Sequence, residues 1–388
     1  MPQAKIQCSA SKPKRTGYQM IKSLRAENFR CFKDIDLADL RRVNVVVGKN
    51  AAGKTALLET IRLAMGGTPQ VLYGMNPARG YFSSISQPPT REMFEAAWNA
   101  YFFNFDISKS ITTECGDSQG NHANVKVFFD EKTTTMVPVH SSGLQGAQGS
   151  PQQISVVPAT YIPPLAFERV NFSGINSTLF ASINPQNGQF SFDTGQELGM
   201  VSEFMTTSVW GGNPLLPTQL FSQLSVQRRE MAIINAVRDE FEPSLEGLTV
   251  LSPNPAQQPA IYASLQYLKE KLPISYLSSG ITRFISILAV VLMRGRGVVL
   301  IDEIENGISY KIFPGLWRYL LKFAAENDTQ IFASTHSQEC VRALVPAMQG
   351  HEEEFSLLRS ERLTDSSTVA ILHGKFLEAA IEQGVEVR

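Results

Sequence analysis

The sequence predicts an α/β fold whose parallel sheet is covered on both faces, and three observations carry that expectation. An apolar strand, Val43–Val47, runs directly into the glycine-rich octad Gly48-Lys49-Asn50-Ala51-Ala52-Gly53-Lys54-Thr55 and then into a helical pattern. A second apolar strand, Val298–Ile301, ends in the acid pair Asp302-Glu303. Strand and helix patterns alternate over 20–66 and again from about residue 277 onward. Apolar runs without polar alternation suit strands buried on both faces, and strand–helix alternation suits a parallel sheet.

The elements follow in order. Residues 1–18 are polar and basic with no apolar run behind them, so they read as a disordered tail and not as a secretory signal. Residues 20–66 give strand, loop, strand, glycine-rich loop and helix. Leu57, Leu58, Ile61 and Met65 recur at helical spacing, and Gly66-Gly67 supply the stop. The pattern then loses regularity. Residues 68–269 are expected to form a helical or irregular lobe inserted into one domain made of 19–67 and 270–388. That lobe holds an aromatic-rich segment, Phe94 to Phe105, a strand-like stretch, Val125 to Phe129, and a low-complexity mobile loop near 140–154. Beyond it come a buried helix over Ile281–Met293, the strand Val298–Ile301 and a helix over Ser309–Ala325. The strand Gln330–Ser334, a helix from about Gln338 to Leu344, a strand pair at Phe355–Arg359 and Val369–Leu372, and a last helix over Phe376–Gln383 complete the order.

Composition sets outer bounds. The 388 residues are 43% hydrophobic, enough for a sizeable core, and carry 35 Lys and Arg against 36 Asp and Glu. A net charge of -1 forces no nucleic-acid or membrane partner, yet leaves room for a local basic patch. The longest apolar stretch, Phe284 to Met293, is too short to span a bilayer. Cys8, Cys31, Cys115 and Cys340 lack metal-ligand spacing, and the five histidines form no cluster. Reduced thiols, no zinc, no membrane and a cytoplasmic location are the expectations.

The octad has the full GxxxxGK[ST] pattern of a phosphate loop. Glycines let backbone N–H groups curl round phosphates without Cβ clashes. The loop opens onto a helix N-terminus, whose dipole favours an anion. Lys54 places a point charge near β and γ phosphates, and Thr55 offers a hydroxyl to Mg²⁺. Residues Gly48 to Thr55 are therefore expected to bind ATP. Asp302 and Glu303 stand at the carboxyl end of a strand, where open α/β sheets bind ligands. Asp302 is expected to hold Mg²⁺, and Glu303 to orient and deprotonate the attacking water. Taken alone, the pair also fits two solvated acids after a buried strand. Ser334-Thr335-His336-Ser337 ends another apolar strand. His336 can reach a γ-phosphate there, or it can be a surface residue beside a helix cap, since Thr335 and Ser337 both cap well. Leu277-Ser278-Ser279-Gly280 precedes the apolar helix and can make a second anion-binding surface, although on this motif alone plain capping by serine is the preferred reading.

The ordered set GKNAAGKT, LSSG, VVLIDE and STHS resembles ABC-type ATPases, whose signature is usually LSGGQ. That resemblance implies a P-loop NTPase fold with a mixed sheet flanked by helices, ATP and Mg²⁺ as ligands, and catalytic roles for Glu303 and His336. It further implies that Ser278, Ser279 and Gly280 act on the nucleotide held by a second copy, in a homodimer or higher homo-oligomer with ATP sandwiched between copies. The opening Ile21-Lys22-Ser23-Leu24-Arg25-Ala26-Glu27-Asn28-Phe29-Arg30-Cys31-Phe32 is similar to that of the SMC, RecF and OLD branch. Ile301 to Gly307, Gln330 to Cys340 and the ending Ile381 to Arg388 resemble stand-alone OLD-like ATPases linked to anti-phage defence, PARIS-type ATPases among them. A separate effector, such as a TOPRIM nuclease or toxin, is the implied partner. A RecF- or SMC-like role in DNA maintenance, with nucleic acid bound, is the alternative. The signature departs from the family at Ile281-Thr282, and the missing Gln is expected to slow turnover. Gln87 lies where a Q-loop glutamine could sit, and Glu305, Asn306 and Gly307 where a subunit-contact loop would. No TOPRIM segment or long heptad arm fits within the chain, and Asp34-Ile35-Asp36 reads as surface acids.

Overall fold

The computed structural model describes residues 20–75, 90–133, 162–184, 188–199, 203–205, 216–254, 258–293, 296–374 and 381. In chain order the first strands are β1 (Ile21–Phe29), β2 (Phe32–Leu37), β3 (Val43–Val47), β4 (Ile111–Asp117) and β5 (His122–Phe129). They are followed by β6 (Leu165–Val170), β7 (Asn176–Ile183), β8 (Phe190–Phe192) and β9 (Glu203–Met205). Then come β10 (Leu245–Leu251), β11 (Ala260–Leu265), β12 (Leu272–Pro273), β13 (Val298–Ile301), β14 (Gln330–Ser334), β15 (Phe355–Arg362) and β16 (Ser367–His373). The helices are α1 (Lys54–Gly66), α2 (Pro69–Tyr73), α3 (Arg91–Ala96), α4 (Leu216–Val226) and α5 (Glu230–Glu240). The chain continues through α6 (Ser279–Met293), α7 (Phe313–Glu326), α8 (Gln338–Arg342) and α9 (Leu344–Met348).

The central sheet runs β16-β15-β3-β14-β13-β9. Neighbours from β15 to β9 pair in parallel, and β16 is antiparallel at the edge. Its strands β3, β13 and β14 are buried along their whole length, as continuous apolar runs require. Alternate residues feed two cores. Val43, Val45, Val47, Val299, Ile301, Ile331 and Ala333 join a cluster with Phe284, Ile285 and Leu288 of α6 and Leu316, Trp317 and Leu320 of α7. Val46, Val298, Leu300 and Phe332 face the other way, onto Leu57, Leu58 and Ile61 of α1 and Leu24, Ile35 and Leu37 of β1 and β2. The apolar spacing expected for α1 is thus the spacing that fills this second core. Gly67, at φ 60°, closes α1 by donating its N–H to Leu63 O at 2.8 Å.

A second sheet, β2-β1-β4-β5-β6-β7-β8, is antiparallel throughout. It corrects the expectation of a helical or irregular lobe over 68–269. Five of its strands come from that stretch and extend the hairpin of β1 and β2. The physical reason lies in their half-buried setting. Strand β5 reads exposed, buried, exposed, buried over its first six residues, with Ala123, Val125 and Val127 inward. Short period-two runs of that kind are weak in a sequence beside the continuous strands of the central sheet. The same stretch adds β9 to the edge of the central sheet next to β13, packs α4 on α6, and forms a small sheet β10-β11-β12. The aromatic-rich segment becomes α3 and two 3₁₀ turns, whose Phe94, Trp98, Tyr101 and Phe102 are buried against Leu63 of α1 and Val125, Val127 and Phe167 of the antiparallel sheet. The proposed tail over 1–18, the loop near 140–154, Gln87, Cys8 and most of the last expected helix lie outside the described residues. Asp34 and Asp36 are exposed on β2, as expected, and among the described residues no helix is long and apolar enough to cross a membrane.

Buried polar side chains lock these layers in register. Gln330 at the start of β14 accepts from Ile21 N at 3.0 Å and donates to Ile21 O at 2.9 Å and Arg41 O at 2.8 Å. Arg30, in the turn between β1 and β2, pairs with Glu59 in the middle of α1 at 3.0 Å, with the two side chains 7% and 2% exposed. Its guanidinium also donates to Ala100 O at 3.0 Å and lies 4.0 Å from the centroid of the Tyr101 ring. One arginine therefore ties the opening hairpin, α1 and the aromatic segment together. Removing one member of a buried pair leaves an uncompensated charge. Arg30→Ala is expected to cost about 3–5 kcal/mol in denaturant unfolding, with Arg30→Met/Glu59→Leu recovering most of it. A loss from Arg30→Ala within ~0.5 kcal/mol of zero would show the pair to be incidental.

Candidate functional site

The octad 48–55 wraps the end of β3 and opens into α1. Its turn needs backbone conformations that few side chains tolerate: φ is 150° at Gly48, 62° at Ala51 and 107° at Gly53. Space is equally tight. A Cβ on Gly48 would come within 2.2 Å of Ser360 O on β15, and one on Gly53 within 2.7 Å of Cys31 Sγ. Ser360 Oγ donates to Ala52 O at 2.7 Å, so β15 and the β1–β2 turn brace the loop from beneath. Lys49, Asn50 and Ala51 are exposed above it. With no acidic residue in its first turn and no side-chain cap, α1 leaves its N-terminal donors open to an anion.

Lys54 folds back over the loop and donates to Gly48 O at 2.8 Å and Lys49 O at 3.1 Å. Burial pulls its ammonium below the usual lysine value, while Asp302, Glu305 and Glu303, in that order, act against the shift. The acids at the end of β13 therefore share one electrostatic neighbourhood with the loop. Thr55 Oγ1 donates to Asp302 Oδ2 at 3.0 Å. Asp302, 7% exposed, also accepts from Ser334 Oγ, and its backbone N–H donates to Met205 O of β9 at 2.8 Å. Ser334 Oγ in turn accepts from Glu303 N at 2.8 Å, and Ser334 O accepts from Ile304 N at 3.0 Å. Held this way, Glu303 takes φ 47°, a left-handed conformation that costs a side chain energy and recurs at functional positions. A hydroxyl and a carboxylate in direct contact, beside a loop of backbone donors, are the oxygen ligands that Mg²⁺ on a polyphosphate takes from a protein, so the residues fit that ion.

His336 lies one turn of chain beyond Ser334. Glu305 Oε1 accepts from both its backbone N–H, at 2.8 Å, and its Nδ1, at 2.7 Å. The imidazole is 55% exposed, so its other edge faces outward. Ser337 caps α8 by accepting from Cys340 N at 3.1 Å, so the cap does not use the His336 side chain.

Leu277 to Gly280 lie elsewhere on this surface. Gly280 N donates to Ser278 Oγ at 3.1 Å, and a Cβ on Gly280 would meet Gly307 O at 2.8 Å. Ser279 is exposed. Among the described residues, no hydrogen bond joins Ser278–Gly280 to residues 48–55 of the same chain. The structure thus brings Thr55 and Asp302 into contact, sets Lys54, Glu303 and Glu305 in one field and leaves the serine motif, beside Gly307, without a hydrogen bond to the loop 48–55 among the described residues.

Four roles at the site were not anticipated, two of them at residues, Ser334 and Glu305, that the sequence had marked for other reasons. Ser334 bridges the two acids, Ser360 braces the loop, Glu305 holds His336, and Arg283 on α6 reaches Asp302 O with its Nη2 at 3.3 Å. Burial lowers the Arg283 pKa, while Asp302, Glu303 and Glu305 act against that shift. Only Arg283 left a signal: it is the single charge within the apolar run Ile281 to Met293. Ser334 and Ser360 look like ordinary strand residues. Among the described residues, Cys115 and Cys340 are free thiols, and no cluster of His, Cys, Asp or Glu could by itself hold a metal.

Two segments of the chain match known protein families. Residues 20–76 match the family described as "AAA ATPase domain", and residues 176–342 match the family described as "AAA domain, putative AbiEii toxin, Type IV TA system". The chain is 21% identical over 350 residues to an "ATP/GTP phosphatase" of Helicobacter pylori, covering 87% of this chain and 90% of that protein. It is 49% identical over 47 residues to an "OLD nuclease" of Thermus scotoductus, covering 12% of this chain and 9% of that protein. Among solved structures, an SMC head bound to the C-terminal winged-helix domain of ScpA aligns over 93% of this chain and 99% of its own, at 15% identity and a TM-score of 0.46. The loop between β3 and α1, the acid pair at the end of β13 and the strand β14 between them make this an α/β fold of the P-loop NTPase class, similar over two segments to AAA ATPase domains.

Proposed function

We propose that this chain binds and hydrolyses ATP in the manner of ABC-type ATPases, and that its copies pair head to tail around the nucleotide. The observation that carries the reading is the 3.0 Å contact between Thr55 and Asp302, with Lys54 on one side and Glu303 on the other. ATP is the substrate. The open N–H groups of 48–55 cradle its phosphates, and Lys54 exchanges the carbonyls of Gly48 and Lys49 for phosphate oxygens. Thr55 and Asp302 would hold Mg²⁺, which when bound would supply neutralising charge on the phosphates. Glu303, fixed by the hydrogen bond from its N–H to Ser334 Oγ, accepts a proton from the attacking water. The exposed edge of His336 faces the γ-phosphate.

Two features support pairing. Ser279 is exposed and makes no hydrogen bond to its own phosphate loop, so a second copy's nucleotide is the ligand it can serve. Tyr276 and Tyr310, 79% and 62% exposed, flank Ser278–Gly280 and Gly307 in the sequence and offer aromatic anchors for a partner. In this scheme 19–67 and 270–388 form the ATPase domain, and 68–269 add the strand-rich lobe. The matches to a family described with a type IV toxin–antitoxin system and to an OLD nuclease support a finer role. In that role the ATP-bound assembly holds a separate toxin-like or nuclease effector in anti-phage defence, and hydrolysis releases it.

Glu303→Gln is expected to lower ATP turnover by about 10²–10⁴-fold while ATP binding persists, and to leave the assembled form dominant when sized in Mg-ATP. Unchanged hydrolysis would remove Glu303 as the base. Co-expression with the products of adjacent genes is expected to yield an effector that stays bound to the Glu303→Gln chain in ATP and leaves the wild-type chain as ATP is consumed. An effector that remains equally bound in both would contradict control by hydrolysis.

A further inference from the structure

Glu305 stands three residues past Asp302, in the segment expected to form a contact loop with Asn306 and Gly307. Asn306 and Gly307 are exposed, but Glu305 is buried, at 9% exposure. One of its carboxylate oxygens serves two donors of a single residue, the backbone N–H and Nδ1 of His336, at 2.8 and 2.7 Å. The other oxygen is buried with no hydrogen-bond partner among the described residues. A loop that needed only its N–H satisfied could take a serine or an amide, without the cost of burying a charge. Here the charge is directed at the imidazole of His336, whose side chain is 55% exposed.

We propose that Glu305 is a positioning residue for His336. By accepting from Nδ1–H, the carboxylate fixes the ring orientation and the tautomer, and it turns Nε2 outward toward the phosphates. A carboxylate behind a histidine does the same work in other sites, where the partner beyond the imidazole sets which nitrogen is presented. Lys54 and Arg283 both feel the charge of Glu305, so the carboxylate lies at the nucleotide end of the sheet and not on a remote surface. The assignment rests on the ATPase reading above.

A double-variant cycle on the full chain separates positioning from simple loop support. Steady-state ATP turnover and binding of a fluorescent ATP analogue are measured for wild type, Glu305→Ala, Glu305→Gln, His336→Ala and Glu305→Ala/His336→Ala. Glu305→Ala is expected to lower kcat by roughly 10–100-fold with analogue affinity held within about twofold, and the double variant to be no slower than His336→Ala alone. Glu305→Gln keeps an acceptor for both donors and is expected to retain part of the lost rate. It carries the same cycle if Glu305→Ala proves less stable on thermal unfolding. Turnover of Glu305→Ala and Glu305→Gln within about twofold of wild type, or losses that multiply in the double variant, overturns the assignment alone. A wild-type chain that hydrolyses no ATP overturns the ATPase reading and this inference with it.

Discussion

The nucleotide end of the molecule depends on one buried carboxylate. Asp302 is drawn out of water at the end of β13, where an unpartnered charge would be costly. The carboxylate accepts from Thr55 of α1 and Ser334 of β14, while the backbone N–H of the same residue donates to Met205 O of β9 and its backbone oxygen accepts from Arg283 of α6. Four elements far apart in sequence meet at one residue. Each contributes a short polar or charged contact at the edge of an otherwise apolar sheet, so the apolar strands fix the position and the polar contacts fix the geometry.

The layering explains why the phosphate loop can be strained and still persist. Helix α1 is packed between the central sheet and the antiparallel sheet, with Leu57, Leu58 and Ile61 toward one core and Leu63 in the other. Arg30 and Glu59 clamp its middle, while Ser360 and Cys31 close the space under the glycines. A loop with positive φ at Gly48, Ala51 and Gly53 is held because its flanking strand and helix cannot move independently. Helix α6 carries the serine motif at its first turn and Arg283 one turn later. A displacement of its N-terminus by a partner's nucleotide would therefore be felt at Asp302 through a hydrogen bond within the same chain.

Much of the fold and of the site was legible in the sequence, for reasons visible in single residues. Val43–Val47 and Val298–Ile301 announced themselves because strands buried on both faces leave unbroken apolar runs. The octad did so because the loop requires glycine where φ is positive and where a Cβ would strike Ser360 or Cys31. The antiparallel sheet was hidden because its strands are half exposed and mix polar with apolar residues, and because their pairing joins residues near 25 to residues near 115, a separation that no local pattern reports. Ser334, Ser360 and Gln330 were hidden for a related reason. Their roles come from which carbonyl or carboxylate lies across the sheet, and the amino-acid type records only that a hydrogen bond is possible. Glu305 was read only as part of a loop with Asn306 and Gly307, and the residue types there did not show that its side chain is buried against His336.

The central claim is that Lys54 of one copy and Ser279 of its mate act on the same triphosphate. Mixing two inactive variants tests it directly. Lys54→Ala lacks a working phosphate loop, and Ser279→Arg lacks a working serine motif, so neither homodimer should turn over ATP. In the mixture, heterodimers form about half the population and each contains one intact composite site, so about a quarter of wild-type activity should return. A mixture that stays inactive while size measurements show the heterodimer present, or a Ser279→Arg chain that hydrolyses ATP as fast as wild type, would contradict the account.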